Sequence, residues 1–392
     1  MTILKVLFWI CLFLVFYTYI GYGILLWLLV CVKRIFKGKP QKKRLPPDDE
    51  LPEVTLMICA YNEQDIVDIK MENTRQLSYP KLHVVWVTDG SNDSTNDLLA
   101  RYQEVEVIYS PERRGKTAAL NHGLSLVKDE LIVMTDANTM LNPEAIHEIV
   151  RCFMDPQIAC VSGEKRVMAR HEGQSAAEGE GLYWKYESTL KRLDSEFYSV
   201  MGAPGELCAI RRSLYEPMPE NALLDDFVIS LRMVDRGYKI AYTSDAYAME
   251  YGSADLTEES KRKRRIAAGG LQSIWWLRKM MNPFRQPVVA FQFVSHRVLR
   301  WSITPIALLL LIPLNVVLVL LKGGNIYTWI WILQLLFYLA AFLGWFLEKN
   351  GKKNMILYVP YYFLFMNLNV FQGFSYLRSH RSSGAWEKAK RG

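Results

Sequence analysis

Four stretches of this chain, residues 6–32, 301–321, 323–347 and 355–377, contain no Asp, Glu, Lys or Arg. At about 1.5 Å of rise per residue, each can cross a hydrocarbon core about 30 Å thick as a helix. No other feature constrains the fold as strongly. A chain with one such segment near its start and three near its end is held at a membrane, which excludes a freely soluble enzyme. The part left for a globular body, residues 33–300 of 392, is long enough for one large domain or two small ones. The mean hydropathy of +0.02 averages two populations and describes neither.

The net charge of +7 is as unevenly placed. Residues 33–44 carry seven Lys or Arg and no acid, 261–265 carry five more, and 378–392 carry five against Glu387. With those runs set aside the remainder stands at −9. The basic excess therefore adjoins the hydrophobic segments, where membrane lipids with anionic head groups are its natural partners. No nucleic acid is expected, because no nucleic-acid-binding module accompanies the runs. The six cysteines show no CxxC and no metal-type spacing, which points to free thiols in a reducing compartment.

The first apolar run is about twice as long as the core of a signal peptide and lacks a small-residue cleavage site, so residues 1–33 read as a retained anchor. The basic run behind it places the body in the cytoplasm, in a multi-pass protein of the inner or plasma membrane. Residues 301–377 supply the other transmembrane segments, with a hairpin turning at Lys322-Gly323-Gly324. In the last of them Pro360, Asn367, Asn369 and Gln372 are costly in lipid unless they face protein. That segment is expected to be broken, re-entrant or packed against its neighbours, and the side of the basic tail, 378–392, stays open. Residues 285–300 mix Val288, Phe291 and Val294 with His296, Arg297 and Arg300, the pattern of an amphipathic interfacial helix.

Between the anchors, residues 50–280 alternate short apolar runs with helical stretches. Strands are expected at Val54–Cys59, Leu82–Thr88, Val105–Tyr109 and Leu131–Thr135, with helices around Asp65–Gln76 and Lys116–Val127. This is an α/β fold with a mostly parallel sheet covered on both faces. Ligands in such sheets bind at the carboxyl ends of the strands. Polar clusters fall there three times, at Tyr61-Asn62-Glu63, Asp89–Asp93 and Asp136–Asn138. There is no GxGxxG, and Gly115-Lys116-Thr117 lacks the upstream glycine of a P-loop, position 110 being Ser110.

Three constellations carry chemistry. Asp136 and Asn138, two apart at a strand end, can hold a hard cation, Mg2+ or Mn2+, that also bridges a diphosphate. Asp225 and Asp226 open an apolar-periodic helix; one carboxylate there is an ordinary cap, and a second beside it suggests a base for a hydroxyl nucleophile. In Lys261-Arg262-Lys263-Arg264-Arg265, Arg265 is placed to neutralise a leaving diphosphate and the other four are assigned to the lipid surface.

In this order the motifs resemble those of the membrane-bound family 2 glycosyltransferases of GT-A fold, which include cellulose, hyaluronan and poly-N-acetylglucosamine synthases. The resemblance covers about 50–300 and extends to the flanking hydrophobic segments. It implies that Ala60-Tyr61-Asn62-Glu63 is a nucleotide-binding strand end, that Asp89 contacts the uracil of a UDP-sugar and that Lys116 approaches the base or phosphates. It further implies a metal at Asp136 and Asn138, an acceptor loop at Gly202-Ala203-Pro204-Gly205, Asp226 as catalytic base and Arg265 on the diphosphate. Two positions depart from the pattern: the second metal aspartate is Asn138, and the acceptor-stacking tryptophan after the arginine is Ile266.

The function expected is an inverting glycosyltransferase that moves a sugar from a nucleotide-sugar donor to a lipid-linked or growing glycan acceptor in exopolysaccharide or cell-envelope synthesis. With Ile266 in place of the tryptophan, limited addition is favoured over processive growth. The alternative is a non-catalytic nucleotide- or glycan-binding scaffold of a synthase complex, against which the Asp225-Asp226 pair argues.

Overall fold

The computed structural model describes residues 1–168, 175–252, 256–350, 352 and 354–379. Its centre is a sheet of eight strands: β1 (Val54–Ala60), β2 (Leu82–Asp89), β3 (Val105–Ser110), β4 (Leu131–Asp136), β5 (Met140–Leu141), β6 (Ile158–Met168), β7 (Cys208–Arg211) and β8 (Lys239–Tyr251). The order across the sheet is β3-β2-β1-β4-β7-β6-β8-β5. Along β3-β2-β1-β4 every pairing is parallel, as the alternation of strand and helix requires. Beyond β4 the sheet is mixed. β7 runs antiparallel to both β4 and β6, while β6 and β8 are parallel to each other. The parallel arrangement read from residues 54–136 thus describes one half, because the four-residue β7 enters between β4 and β6 from a loop and not from a crossover helix.

Alternate residues of the central strands feed two cores. Met57, Val87, Ile132 and Met134 pack on one face with Leu120, Phe227, Val228 and Leu231. Leu56, Ile58, Trp86 and Val133 pack on the other with Val67, Met71, Ile146 and Ile149. A sheet apolar on both sides gives the near-continuous hydrophobic runs that mark these strands in the sequence.

Around this body lie long helices. The anchor helix, Thr2–Lys37, with Ile303–Leu320 and Asn325–Lys349, are the three among the described residues that are long and apolar enough to cross a membrane. A helix over Ser175–Phe197, the arm, packs along the anchor through Tyr22, Leu26, Val30, Leu190 and Leu193. At its end Arg34 pairs with Glu196, and Lys33 Nζ donates to the Phe197 carbonyl at 2.9 Å, a cation on the orphan carbonyls of a helix C-terminus. Part of the basic run behind the anchor is therefore engaged with protein.

The fourth charge-free stretch forms one continuous helix, Met355–Ser379, through Pro360. Of the outcomes expected for it, packing against its neighbours is the one realised. Asn367 Oδ1 accepts from Tyr19 of the anchor at 2.6 Å, and Asn369 Oδ1 accepts from Ser260 at 3.0 Å. Of the expected basic tail, residues 380–392 lie outside the described residues. The amphipathic segment is helical over 287–301, but Gln292, Ser295, His296, Arg297 and Arg300 are all buried, so its polar face turns into the protein. All six cysteines are free.

Candidate active site

Register alone assembles the first half of the site. In the parallel ladder Cys59 lies beside Asp136 and Ala60 beside Thr88, while Asp89 pairs with Ser110. The ends of β1, β2 and β4 consequently share one edge of the sheet. The turn after β1 is clipped to the turn after β2. Asn62, at φ 53°, exchanges hydrogen bonds with Asn92, donating from Nδ2 at 2.7 Å and accepting at Oδ1 from the Asn92 N–H at 2.9 Å. The Glu63 N–H donates to Thr95 Oγ1 at 2.8 Å. Asp89 accepts the N–H groups of Arg114 and Gly115 at 2.9 and 2.7 Å, which fixes the loop that opens the Lys116 helix. The Tyr61 ring carries the Arg113 guanidinium at 3.9 Å, a stacked pair at the rim.

The second half converges on Lys116. Its Nζ donates to Asp136 Oδ1 at 2.5 Å. Burial alone would lower this ammonium; Asp136, Asp225 and Asp226 outweigh it and hold Lys116 well above its ordinary range. Asp225 and Asp226 form the first turn of the helix Asp225–Asp235. Burial, reinforced by the Asp225 carboxylate, pushes Asp226 up to about 7, with Lys116 opposing. A carboxyl that titrates near neutrality is suited to accept a proton from a hydroxyl. Asp225 Oδ2 is buried without a hydrogen-bond partner.

The loop 202–205 passes directly over these groups. Gly202 is at φ +104°, and a Cβ there would stand 2.3 Å from the Phe227 ring. A Cβ on Gly205 would lie 3.2 Å from both Asp226 Oδ2 and Lys116 Nζ, so the bare backbone leaves the gap between base and ammonium open. Ser230 Oγ accepts from the Ala203 N–H at 3.1 Å and ties the loop to the helix that carries Asp226.

One cavity of about 530 Å3 joins the parts. Lys116, Asp136, Gly202-Ala203-Pro204-Gly205, Asp225, Asp226 and Arg265 all line it. Ala60, Tyr61, Asn62, Glu63 and Asp89 lie beyond that lining, across Asp136 at the strand ends. Residues 137 and 138 form a turn closed by Thr139, whose Oγ1 donates to the Asp136 carbonyl at 2.9 Å. The extended i, i+2 pair expected at Asp136 and Asn138 is thus replaced by a turn, and Asn138 lies outside the cavity lining. Among the described residues no group of three or more His, Cys, Asp or Glu is arranged to hold a metal.

Three features escaped the sequence reading. Arg262 and Lys263, assigned to lipid, are buried on the helix Leu256–Trp276: Arg262 lies 3.1 Å from Glu206, and Lys263 3.2 Å from Glu259. Lys165 pairs with Glu206 at 2.7 Å and with Glu250 in the same cluster. Below it, Glu187 meets Arg297 at 2.7 Å and Arg300 at 2.9 Å, and His296 bonds Asp194 at 2.5 Å. Burial opposes the Glu187 charge, and Arg297, His296 and Arg300 overcome that to hold its carboxyl well below the usual range. Finally, Trp301 lines the cavity; Trp184 and Tyr186, which the sequence already offers as sugar-stacking aromatics, line it as well. The charged residues could be found only by their spacing on helices whose partners are remote in sequence.

Residues 52–269 match the family model described as "Glycosyltransferase like family 2". The chain is 26% identical over 232 residues to a poly-beta-1,6-N-acetyl-D-glucosamine synthase of Staphylococcus aureus (strain MSSA476), covering 57% of this chain and 55% of that protein. It is 28% identical over 216 residues to the probable glycosyltransferase YdaM of Bacillus subtilis (strain 168), covering 51% of each. The chain therefore spans about half the length of the curated relatives it matches. Among solved structures, the mannosyltransferase PcManGT of Pyrobaculum calidifontis, in complex with GDP-Man and Mn2+, superposes with a TM-score of 0.69 at 21% identity. That match covers 95% of this chain and 99% of that one, and it shows a shared fold that includes the flanking helices.

Proposed function

The chain belongs to glycosyltransferase-like family 2, and from that premise we propose that it is a multi-pass membrane enzyme with its sheet domain on the cytoplasmic side. It moves a sugar, with inversion, from a nucleotide-sugar donor to a hydroxyl of a lipid-linked or growing glycan. The observation that carries this reading is the convergence of Asp226 and Lys116 on the bare backbone at Gly205, where a Cβ would lie 3.2 Å from each. One group is tuned to accept a proton near neutrality, and the other stays cationic beside Asp136.

The nucleotide is assigned to the strand ends at Ala60–Glu63 and Asp89, with UDP as the first base to test and GDP as the second. Its diphosphate lies toward Lys116, Asp136 and Arg265. Asp226 takes the proton of the acceptor hydroxyl, the hydroxyl oxygen bonds the anomeric carbon, and the bond from that carbon to the diphosphate breaks. The nucleoside diphosphate leaves with the bonding electrons. Arg265 and Lys116 hold that negative charge as fixed cations already in place before it develops.

A divalent ion, Mg2+ or Mn2+, fits this arrangement only as one shared with the diphosphate. Asp136 spends one oxygen on Lys116, and the unpartnered Oδ2 of Asp225 is the other available acid. When bound, such an ion supplies further neutralisation of the leaving group. Arg262 is engaged with Glu206, and Ile266 offers no stacking face, in keeping with limited addition.

The test is release of nucleoside diphosphate by the purified protein in detergent over a panel of UDP- and GDP-sugars, for the native chain and Asp226→Asn. Release abolished by the substitution is expected. Tight nucleotide binding without turnover of any donor would overturn the enzymatic reading in favour of a scaffold.

A further inference from the structure

Seven basic and five acidic side chains line the cavity among the described residues, and they are not evenly engaged. Arg262, Lys263 and Arg297 each face a carboxylate. Two other cations of the lining, Lys191 and Arg300, are less fully engaged. Lys191, on the arm helix, is buried at 4% exposure and makes no ion pair or hydrogen bond among the described residues; its ammonium lies 5.5 Å from the Trp184 ring. Arg300, buried at 6%, gives Nη1 to Glu187 at 2.9 Å; its Nε and Nη2 are buried without a hydrogen-bond acceptor, and its guanidinium carbon lies 6.0 and 5.6 Å from the ring centres of Tyr19 and Tyr186.

Burying two guanidinium nitrogens without acceptors, with an ammonium that has no carboxylate of its own in the same cavity, is costly, and such groups are retained where a ligand supplies what is missing. Burial also lowers the Lys191 ammonium to about 8, with Glu187 as its strongest opposing charge. The same lining also has an apolar part. Phe363, Met366 and Val370 of the helix Met355–Ser379, together with Tyr19 of the anchor, continue the cavity in apolar and aromatic surface.

We propose that Lys191 and Arg300 form a phosphate-binding station for a membrane-embedded acceptor, a long-chain isoprenoid or similar lipid joined through phosphate to its sugar. The phosphate satisfies both cations. The chain lies along Tyr19, Phe363 and Met366, and the sugar reaches up to Asp226. The assignment rests on the glycosyltransferase reading above and narrows its acceptor to a lipid phosphate, as opposed to a neutral polymer. Charge and surface agree on this order: a neutral glycan leaves the Lys191 charge and the spare guanidinium nitrogens of Arg300 uncompensated, and a soluble phosphate leaves the apolar extension empty.

Equilibrium binding to the full chain in detergent tests this without turnover. The probes are geranylgeranyl monophosphate, geranylgeraniol and inorganic phosphate, titrated against the native protein, Lys191→Met and Arg300→Lys, each checked for an unchanged melting temperature. Saturable binding of the phosphorylated lipid is expected, at least about tenfold tighter than the alcohol, with a similar loss in Lys191→Met, as removal of one charge-assisted hydrogen bond predicts. Equal affinity for lipid phosphate and alcohol, or native affinity in Lys191→Met, overturns the station. Inorganic phosphate binding as tightly as the lipid overturns the lipid assignment. Nucleotide release on the same samples reads the transfer reaction separately: its absence with lipid binding intact defeats that reading and leaves the station standing.

Discussion

The two halves of the candidate site are built from different materials. At the ends of β1, β2 and β4 the working parts are turns: backbone N–H groups held by Asp89, and loops clipped by Asn62, Asn92 and Thr95. Their residues are contiguous in sequence and many are exposed. On the membrane side the parts are side chains, buried and charged, brought together from β6, the arm, the loop before β7 and three later helices. Backbone groups survive a substitution, because removing a side chain leaves the N–H in place. A buried charge does not, since deleting it strands its partner. The contrast predicts shallow effects at the strand ends and deep ones on the membrane side.

The largest effect is expected at Asp226. Asp226→Asn should reduce turnover by about 10²–10⁴-fold, the usual worth of a general base, while nucleotide binding by calorimetry stays native. Native turnover in this variant would remove Asp226 from the chemistry. Arg265→Gln comes next, with a loss of about 10²–10³-fold carried mainly by kcat, as for a group that acts on developing charge. Equal loss in KM alone would make Arg265 a donor-binding residue only.

The pH profile sharpens the same side. Because burial and Asp225 raise Asp226 to about 7, its base form is lost as pH falls through neutrality. kcat/KM should therefore decline about tenfold per unit below pH 7 and flatten above it. A flat profile from pH 5 to about 7 would break the assignment. The linked stability has the opposite sign. The folded state binds the extra proton between the ordinary aspartate range and about 7, so Asp226 destabilises increasingly as pH rises across that window.

The smallest effects are placed at the strand ends. Asp89→Asn leaves one acceptor oxygen for two N–H groups, and should weaken nucleotide binding by about 1–3 kcal/mol with little change in kcat. Asn62→Ala holds a non-glycine residue at φ 53° without its side-chain bonds and should cost about 1–2 kcal/mol of stability by denaturant titration. A collapse of turnover in either variant would erase the distinction between the halves.

Much of the site was legible because it is local. Strand ends at Ala60, Asp89 and Asp136 follow from apolar runs and turn residues, and parallel pairing brings them to one edge without further information. Asp226 and Arg265 were legible as motif residues, and the cavity brings both beside Lys116. What escaped was non-local. Nothing near Arg262 announces Glu206, and nothing near His296 announces Asp194. Basic runs beside hydrophobic segments suggest lipid, yet Arg262 and Lys263 turn inward because Glu206, Glu250 and Glu259 wait there.

By itself the sequence determined the apolar segments long enough to cross a membrane, the parallel half of the sheet and the residues gathered at one edge of it. These depend on periodicity and turn chemistry, which act over a few residues. Tertiary structure alone decided that β7 enters antiparallel, that the segment 355–377 packs through its asparagines, and that Lys191, with no ion pair among the described residues, and Arg300, with two guanidinium nitrogens left over from its pair with Glu187, line one cavity. Burial and pairing are properties of distant groups brought together, and their energies exist only once the chain has closed on itself.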